Sequence, residues 1–594
     1  MSETIIEFKD FGFQYNAQSK PTLYNINFSI KKGEKVLIAG PSGCGKSTLA
    51  HCMNGLIPFS YKGESTGSLT LLGQETKKLS IFDISKHVGT VLQDSDAQFV
   101  GLTVAEDIAF ALENNCVGEP DLHERVLKAA RLVNINEHLK SSPREISGGQ
   151  KQRVSVAGVI VEDVELLIFD EPLANLDPAT GKQAVELIDE ISMQTGAAVI
   201  IIEHRLEDVL HRHVDRVVLM NSGRIISDTS SDELLSSDLL VKNGIREPLY
   251  ITALKYAGVK ITPEMHPSHI RNINIGESDA RLVREWFAST SVRNREISAD
   301  TILSISNMEF KYPSRDTNTL KGIDVSFKQG EMTAIVGTNG AGKSTFSKVV
   351  CGLEDITKGQ ILYKGEDFTK LSIKERAEKI GYVMQNPNQM ISKVMIWDEV
   401  AFGLKNRNVS EEEINERVEK ALKVCGLWQF RKWPISALSF GQKKRVTVAS
   451  ILVLNPEMII LDEPTAGQDY AHYTEIMDFL EDINKQGITV VMITHDMHLM
   501  LEYADRAIVF SDGKIIKDDA CAVILTDEDI VNRASLKETS LYTLATKCEI
   551  GAGTAFVQRF IDYERDFVRQ NSDSGNEKMQ DTKESLKEGG EVDG

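Results

Sequence analysis

The chain has 594 residues, of which 41% are hydrophobic and 26% are charged, and it carries a formal net charge of −20. Its length excludes a single hydrophobic core, and its composition is that of an ordinary globular protein. The acidic charge argues against a general nucleic-acid binder, which needs a basic face, so we expect no nucleic acid as a main partner.

Two further features bear on the cellular compartment. The sequence contains no run of 18 or more apolar residues, the length that a helix needs to span a bilayer. Met-Ser-Glu-Thr at the start lacks the basic and apolar segments of a signal peptide. The cysteines form no C-x-x-C pair, which argues against a zinc site and against a disulfide framework. We therefore expect a cytosolic chain with reduced thiols. The seven cysteines are residues 44, 52, 116, 351, 425, 521 and 548.

The first half of the chain alternates apolar strands with a helical pattern. A β-like segment, Thr4–Tyr15, comes first, and a continuous apolar run follows at Glu34–Ala39. The pattern of Asp121–Val133 is helical, and Leu166–Phe169 and Ala197–Ile202 are again apolar runs. Continuous apolar strands are typical of a parallel sheet that is buried on both faces, so we predict an α/β fold.

The second half repeats this order. Its β-like segment is Ile302–Tyr312, its apolar runs are Glu331–Val336, Ile459–Leu461 and Ile488–Ile493, and its helical pattern is Ser410–Val424. Corresponding positions are offset by 297 residues at the lysines 46 and 343 and by 292 at the glutamates 171 and 463. Such repetition predicts two copies of one domain in tandem.

A phosphate-binding motif, G-x-x-x-x-G-K-[ST], follows an apolar run in each half. Its glycines let successive backbone N–H groups hold phosphate oxygens at a helix N-terminus. Its lysine reaches the β and γ phosphates, and its serine ligates Mg²⁺, so we predict ATP and Mg²⁺ as cofactors. The predicted ATP-binding residues of the two loops are Gly40, Pro41, Ser42, Gly43, Cys44, Gly45, Lys46, Ser47 and Thr48, and Gly337, Thr338, Asn339, Gly340, Ala341, Gly342, Lys343, Ser344 and Thr345.

Acidic pairs and histidines end later strands at matching positions. A carboxylate at the phosphate side of a sheet can hold the Mg²⁺ shell, and the adjacent glutamate suits a general base that activates water. One histidine at a strand end would be an ordinary structural residue, but its recurrence in both halves favours a catalytic role. The predicted residues are Asp170 and Asp462 for the metal, with Ser47 and Ser344, and Glu171, His204, Glu463 and His495 for catalysis.

A third motif lies between the phosphate loop and the acidic pair. Ser147-Gly-Gly-Gln-Lys-Gln-Arg153 in the first half, and Leu438-Ser-Phe-Gly-Gln442 in the second, resemble the signature of ATP-binding-cassette (ABC) ATPases. The resemblance implies two tandem P-loop NTPase domains, each with an antiparallel β subdomain and a helical subdomain. It also implies that the signature residues contact ATP, namely Ser147, Gly149, Gln150, Ser439, Gly441 and Gln442. By the same resemblance, Tyr15 and Tyr312 are expected to stack on adenine, and Gln93 and Gln385 are expected to be the Q-loop glutamines that contact Mg²⁺. The implied D-loops are Ala174–Asp177 and Ala466–Asp469.

A finer resemblance concerns the stretch after each Q-loop glutamine. Asp94–Phe110 and Asn386–Gly403 are similar to the duplicated ATPase of energy-coupling factor (ECF) transporters. This implies import of a vitamin or other micronutrient, with hydroxymethylpyrimidine or thiamine as the best match. It also implies a peripheral position on the cytoplasmic side of the cell membrane. The implied partners are a transmembrane coupling subunit and a membrane-embedded substrate-binding subunit.

The resemblance also implies how the two cassettes work. Two ATP molecules are expected in sandwich sites, each between one half's phosphate loop and the other half's signature, with opening driven by hydrolysis. Phe440 replaces the first glycine of the signature, and Ala466–Asp469 departs from the usual D-loop sequence. We therefore expect two sites of unequal rate.

The domain boundaries follow from the repeat and from composition. Glu247-Pro-Leu-Tyr250 weakly resembles the stretch that begins at Glu538, so each half is expected to carry a small C-terminal appendage. The end of the chain has almost no large apolar residues and is expected to be a disordered acidic tail. The predicted segments are cassette 1 at 4–235, its appendage and linker at 236–300, cassette 2 at 301–520, its appendage at 521–569 and the tail at 570–594.

Two alternatives share the ATPase motifs. A soluble tandem cassette that acts on the ribosome or translation usually has a long, charged helical linker, whereas residues 236–300 have mixed charge and no lysine-rich helix. A DNA-organising ATPase splits its cassette around a coiled coil, and no heptad array interrupts either half. The motif context therefore favours a transport motor.

A membrane partner would need exposed apolar groups near the Q-loops. The sequence offers Phe99, Val100, Met390, Ile391 and Trp397. These side chains could equally fill the core of their own half. Their clustering beside the Q-loop glutamines favours a docking groove.

Overall fold

The computed structural model describes residues 3–93, 98–174, 176–291, 298–313, 316–465, 468 and 470–565. Within them the chain forms two compact units. The first runs to Ile251 and includes Ile261–Asn274 and Thr465–Ile476. The second contains Thr252–Lys260, Ile275–Pro464 and the described chain from Met477 onwards. The predicted tail at 570–594 and parts of both D-loops lie outside the described residues.

The first unit contains two sheets. Its strands are β1 (Thr4–Tyr15), β2 (Leu23–Lys31), β3 (Lys35–Ala39), β4 (Gly63–Leu71), β5 (Gln74–Glu75), β6 (Val88–Val91), β7 (Leu166–Asp170), β8 (Ala198–Ile202), β9 (Arg216–Asn221) and β10 (Arg224–Thr229). The antiparallel sheet has the strand order β2-β1-β4-β5, and the larger sheet has the order β10-β9-β3-β8-β7-β6 with β10 as its antiparallel edge.

Helices cover the larger sheet and form a separate helical subdomain after the Q-loop. Strands β3 and β8 are buried along their whole length, as their continuous apolar sequences predict. The helices are α1 (Lys46–Met53), α2 (Leu56–Phe59), α3 (Ile81–Ser85), α4 (Val104–Asn114), α5 (Glu119–Leu132), α6 (Gly148–Ile160), α7 (Pro178–Thr195), α8 (Leu206–Val209), α9 (Ser231–Leu235), α10 (Leu239–Lys242) and α11 (Leu249–Tyr256), the last of which continues into the second unit.

The second unit repeats this architecture. Its strands are β11 (Thr301–Phe310), β12 (Leu320–Lys328), β13 (Met332–Gly337), β14 (Lys358–Tyr363), β15 (Glu366–Asp367), β16 (Ile380–Val383), β17 (Met458–Asp462), β18 (Thr489–Ile493), β19 (Arg506–Ser511) and β20 (Lys514–Asp519). The antiparallel sheet has the order β12-β11-β14-β15, and the larger sheet has the order β16-β17-β18-β13-β19-β20. The predicted α/β class with tandem domains is confirmed.

The helices of the second half also include the C-terminal additions. Residues 553–565 are helical, and they pack on the helix Glu277–Ser289 of the second unit: the ring of Trp286 lies 5.7 Å from that of Phe556 and 5.5 Å from that of Tyr563. The other helices are α12 (Glu277–Ser289), α13 (Lys343–Val350), α14 (Ile373–Arg376), α15 (Ile396–Lys405), α16 (Glu411–Val424), α17 (Phe440–Leu452), α18 (Tyr470–Lys485), α19 (Met497–Tyr503), α20 (Cys521–Ile524), α21 (Glu528–Arg533) and α22 (Ser540–Lys547).

Candidate active sites

Each phosphate loop joins the central parallel strand to a helix whose first residue is the motif lysine. Lys46 is buried, and its Nζ donates hydrogen bonds to the carbonyls of Gly40 at 2.7 Å and Pro41 at 3.0 Å. Gly45 and Gly342 precede the two helices with φ of 107° and 100°, a conformation that a side chain would strain. The lysine ammonium is therefore held inside a loop whose backbone suits an anion.

The second loop has the same internal contacts. Lys343 Nζ donates to the carbonyls of Gly337 at 2.8 Å and Thr338 at 2.9 Å. In both loops the ammonium is thus held by backbone carbonyls of the phosphate-binding motif itself.

The predicted adenine-stacking tyrosines stand next to the loops. The hydroxyl of Tyr15 is 3.1 Å from Oγ1 of Thr48, and that of Tyr312 is 3.2 Å from Oγ1 of Thr345. Each tyrosine is thereby attached to the first turn of the helix that follows its phosphate loop.

Asp170 has the character of a cation ligand. Its carboxylate ends β7 and is hydrogen-bonded by Ser47, while Oδ1 is buried without a hydrogen-bond partner among the described residues. Burial raises the pKa of Asp170, although Lys46 and Ser47 oppose that shift. A buried carboxylate with a spare oxygen beside a serine hydroxyl fits a Mg²⁺ ion.

The corresponding carboxylate of the second cassette has a different neighbour. Asp462 is buried at the end of β17, and its Oδ2 accepts a 3.3 Å hydrogen bond from the hydroxyl of Tyr382. Burial and this carboxylate raise the pKa of Tyr382, so the tyrosine remains a neutral donor.

The two candidate bases share an unusual backbone conformation. Glu171 and Glu463 both have φ of 49°, in the left-handed region that non-glycine residues seldom adopt. The N–H of Glu171 donates to the carbonyl of Ile202 at 2.9 Å, and that of Glu463 donates to Ile493 at 2.9 Å. Backbone strain of this kind is characteristic of functional positions, where surrounding structure maintains it.

Environment raises the pKa of both glutamates. For Glu171 the main cause is burial, reinforced by Glu203 and Asp170 and opposed by His204. For Glu463 burial again dominates, and Asp462 adds to it. A raised pKa makes each carboxylate a better proton acceptor than an exposed glutamate.

The first cassette brings its Q-loop glutamine and its acidic pair together. Gln93 Nε2 donates a 2.7 Å hydrogen bond to Oε2 of Glu171. The Nδ1 atom of His204 is 3.9 Å from Glu171 Oε1 but 3.3 Å from Oε1 of Glu203. The histidine therefore lies nearer to a carboxylate that the motif comparison did not single out.

The second cassette has a different arrangement of the same groups. The Nε2 atom of His495 is 3.1 Å from Glu463 Oε1, so this histidine pairs directly with the candidate base. Thr494 stands where the first cassette has Glu203. The sequence before the histidine is Ile-Glu-His at 202–204 and Ile-Thr-His at 493–495. This difference between the two halves is the signal that could have identified Glu203.

The signature serines, Ser147 and Ser439, are the N-cap residues of helices α6 and α17. The N–H of Gln150 donates to Ser147 Oγ at 3.3 Å, and the N–H of Ser147 donates to Gln150 Oε1 at 2.8 Å. Ser439 and Gln442 form the same reciprocal cap. The side chain of Phe440 is 42% exposed. The signature change therefore leaves this helix start intact.

The predicted docking residues differ in their exposure. Phe99 is half-buried against the hydrophobic core of its own unit, and Met390 is half-buried with its sulfur accepting the N–H of Met384. Val100 is 64% exposed, as predicted, and the prediction omitted two more strongly exposed apolar side chains, Leu102 at 82% and Val394 at 73%. These two positions correspond in the repeat. The sequence of an irregular loop does not indicate which of its apolar residues are buried and which are exposed.

Carboxylates hold these exposed segments in place. Asp107 Oδ1 accepts the N–H groups of Val100 at 2.8 Å and Gly101 at 3.0 Å. The equivalent residue Glu399 accepts the N–H groups of Ser392 and Lys393 at 2.8 and 2.6 Å. Each post-Q-loop turn is thus fixed to the first turn of the following helix.

Comparison with known proteins agrees with this picture of two nucleotide sites. A family model described as ABC transporter matches residues 23–174 and 320–466, and one described as ATP-binding cassette cobalt transporter matches residues 237–310. An ABC transporter ATP-binding protein of Clostridium perfringens is 56% identical over 95% of this chain and 99% of its own length. An ABC transporter ATP-binding protein of Enterococcus faecalis is 54% identical over 95% of this chain and 99% of its own length.

A solved structure matches one cassette. It is CbiO1 from Clostridium perfringens, described as part of the ABC transporter complex CbiONQ, with 36% identity, a TM-score of 0.37 and coverage of 39% of this chain and 94% of that one. None of the described helices combines the length and apolar character needed to cross a membrane.

The fold and the sites define a tandem P-loop ATPase. With the family matches, the identification is specific: this chain belongs to the ABC transporter family as an ATP-binding subunit with two cassettes. Its ATPase activity serves a transporter.

Proposed function

We propose that this chain is the energy-coupling ATPase of an ECF-type importer of a micronutrient. The observation that carries the proposal is the Gln93–Glu171 hydrogen bond of 2.7 Å. It joins the residue expected to face a membrane partner to the residue expected to activate water. The family model described as a cobalt transporter, which covers residues 237–310, supports the same class.

In this proposal the phosphate-loop lysines bind the β and γ phosphates of ATP. Ser47, Asp170 and Gln93 hold Mg²⁺ in the first cassette, and Ser344, Asp462 and Gln385 hold it in the second. When bound, Mg²⁺ neutralises charge on the phosphate oxygens. The serine and aspartate residues of each site supply the hard oxygen ligands that this ion prefers.

Glu171 and Glu463 act as general bases toward the attacking water. Their raised pKa values bring them closer to the pH at which a base is most effective. His204 and His495 orient the reacting groups: His495 contacts its glutamate directly, whereas His204 is held by Glu203.

Separate membrane proteins would complete the transporter. We infer a transmembrane coupling subunit and a membrane-embedded substrate-binding subunit, with this chain peripheral on the cytoplasmic side. Exposed Leu102 and Val394, next to the Q-loops, are the apolar groups that fit coupling helices.

We propose two alternative classes of transported solute. The ECF resemblance favours hydroxymethylpyrimidine or thiamine, and the description of the family model at residues 237–310 favours a cobalt ion. Proteoliposomes that contain the chain with its co-purified membrane subunits would be tested for ATP-dependent uptake of labelled thiamine, hydroxymethylpyrimidine and Co²⁺. Uptake that is lost in the Glu171→Gln/Glu463→Gln protein supports the proposal, and absence of any membrane partner contradicts it.

The translation alternative makes a distinct prediction. A soluble tandem cassette would co-sediment with ribosomes in an ATP-dependent manner. The matched families are transport families, so we expect no such co-sedimentation.

A further inference from the structure

A buried lysine lies behind the catalytic groups of the second cassette. Lys444, on α17, is 1% exposed and is among the largest fully buried side chains. Its Nζ donates to the backbone carbonyl of Gln385 at 2.7 Å and to that of Glu463 at 2.8 Å. One ammonium thus bonds the Q-loop backbone and the backbone of the candidate base.

Burial of this charge carries a cost that a neutral side chain would avoid. Desolvation lowers the pKa of Lys444 to about 8, although Glu463 and Asp462 oppose the shift. A well-packed apolar residue of similar volume is often as stabilising as a buried charge. Stability alone therefore does not account for a lysine at this position.

Among the described residues of the first cassette, no buried lysine makes the equivalent connection. Gln152 occupies the corresponding position on α6, and its Nε2 donates at 2.7 Å to the carbonyl of Pro172. That carbonyl belongs to the residue after Glu171. In the first cassette the link between Q-loop and base is made by side chains instead, from Gln93 to Glu171.

The carbonyl that Lys444 holds belongs to a strained residue. Glu463 has φ of 49°, its N–H is bonded to Ile493, and its C=O is bonded to Lys444. Both peptide groups that flank the glutamate are thereby fixed. A shift of the Gln385 backbone would act on the same ammonium.

We propose that Lys444 is a positioning residue, specific to the second cassette, that couples movement of the Q-loop at Gln385 to the orientation of the Glu463 carboxylate. This inference rests on the proposed function, because it takes Glu463 as the base. It makes the two cassettes respond differently to a partner at the Q-loop: through a backbone tie in the second and through a side-chain hydrogen bond in the first.

The test uses the full-length chain with one base removed at a time. In the Glu171→Gln protein, which retains Glu463, Lys444→Met removes the donors and keeps most of the volume. We expect kcat to fall about tenfold, since small misplacement of a reacting group has effects of that order or larger. The KM for ATP should change less than about twofold, and Lys444→Arg should restore part of kcat. The matched control, Gln152→Met in the Glu463→Gln protein, should lose less than about twofold.

A second measurement follows the coupling itself. Hydrogen exchange at the amides of residues 385–393, with ATP bound, should be faster in Lys444→Met than in its parent. If Lys444→Met does not fold, Lys444→Gln carries the first cassette's residue into this position and is measured in the same way.

Several outcomes would overturn the inference. An unchanged kcat, a loss equal to that of the Gln152 control, or a rise in KM without a fall in kcat would each do so. Hydrolysis at the wild-type rate in the separate Glu171→Gln/Glu463→Gln double variant would instead refute the proposed function, so the two failures are distinguishable.

Discussion

Gln93 and Glu171 form a 2.7 Å hydrogen bond from Nε2 to Oε2, whereas Glu463 of the second cassette is paired with His495 at 3.1 Å. The same residue types therefore make different contacts in the two halves of one chain. The difference concerns the two proposed bases.

Loss of both glutamates should stop turnover without preventing nucleotide binding. In the Glu171→Gln/Glu463→Gln protein we expect ATP hydrolysis to fall by about 10²–10⁴-fold, the usual contribution of a general base. The amide retains the shape of the side chain but accepts protons poorly, so ATP should remain bound. Steady-state hydrolysis and equilibrium binding of ATP would be measured. Wild-type turnover would show that neither glutamate is the base.

The two cassettes should hydrolyse ATP at different rates. Glu203 lies 3.3 Å from His204 in the first, and threonine occupies that position in the second. The single variants Glu171→Gln and Glu463→Gln should therefore retain unequal activities. Glu203→Gln, in the Glu463→Gln protein, should lower the remaining kcat severalfold by weakening the orientation of His204. Equal rates in the two single variants would refute the asymmetry.

Removal of the proposed metal ligand should change the Mg²⁺ requirement. Asp170→Asn replaces a buried carboxylate, whose Oδ1 has no partner among the described residues, with a neutral group. Because Mg²⁺ prefers charged oxygen ligands, half-maximal activity of the Glu463→Gln protein should need a higher Mg²⁺ concentration. Titration of hydrolysis with MgCl₂ measures this, and EDTA should abolish activity in the parent. An unaltered titration would contradict the assignment of Asp170.

Membrane docking should depend on the exposed aliphatic residues. Leu102→Glu and Val394→Glu place charges on side chains that are 82% and 73% exposed, so the chain without its partners should keep its thermal stability and ATPase rate. Both variants should lose co-purification with the transmembrane subunit.

Phe99→Glu is the matched control for this prediction. Its half-buried ring packs against the core, so replacing it with a charge should destabilise the first unit. Normal binding of the membrane subunit by Leu102→Glu and Val394→Glu would show that the docking surface lies elsewhere.

Features set by local sequence could be predicted without coordinates. The strands end where their apolar runs end, at Asp170 and Asp462, and each phosphate-loop helix begins at its lysine. These depend on periodicity, glycine conformation and capping, which act over a few residues. Internal repetition then indicated two cassettes, and the family comparisons confirm them. The chemical roles of the site residues stay predictions.

Tertiary structure decided which partners these residues meet. Three features depend on distant segments and on side-chain orientation. They are the connection from Lys444 to Gln385 and Glu463, the contact of Glu203 with His204, and the packing of half-buried Phe99 against the core while Leu102 is exposed. The two copies of each motif thus have the same backbone conformation but form different hydrogen bonds. The physical reason is that a buried polar group bonds to whatever the packing brings within reach, and packing is a property of the whole unit.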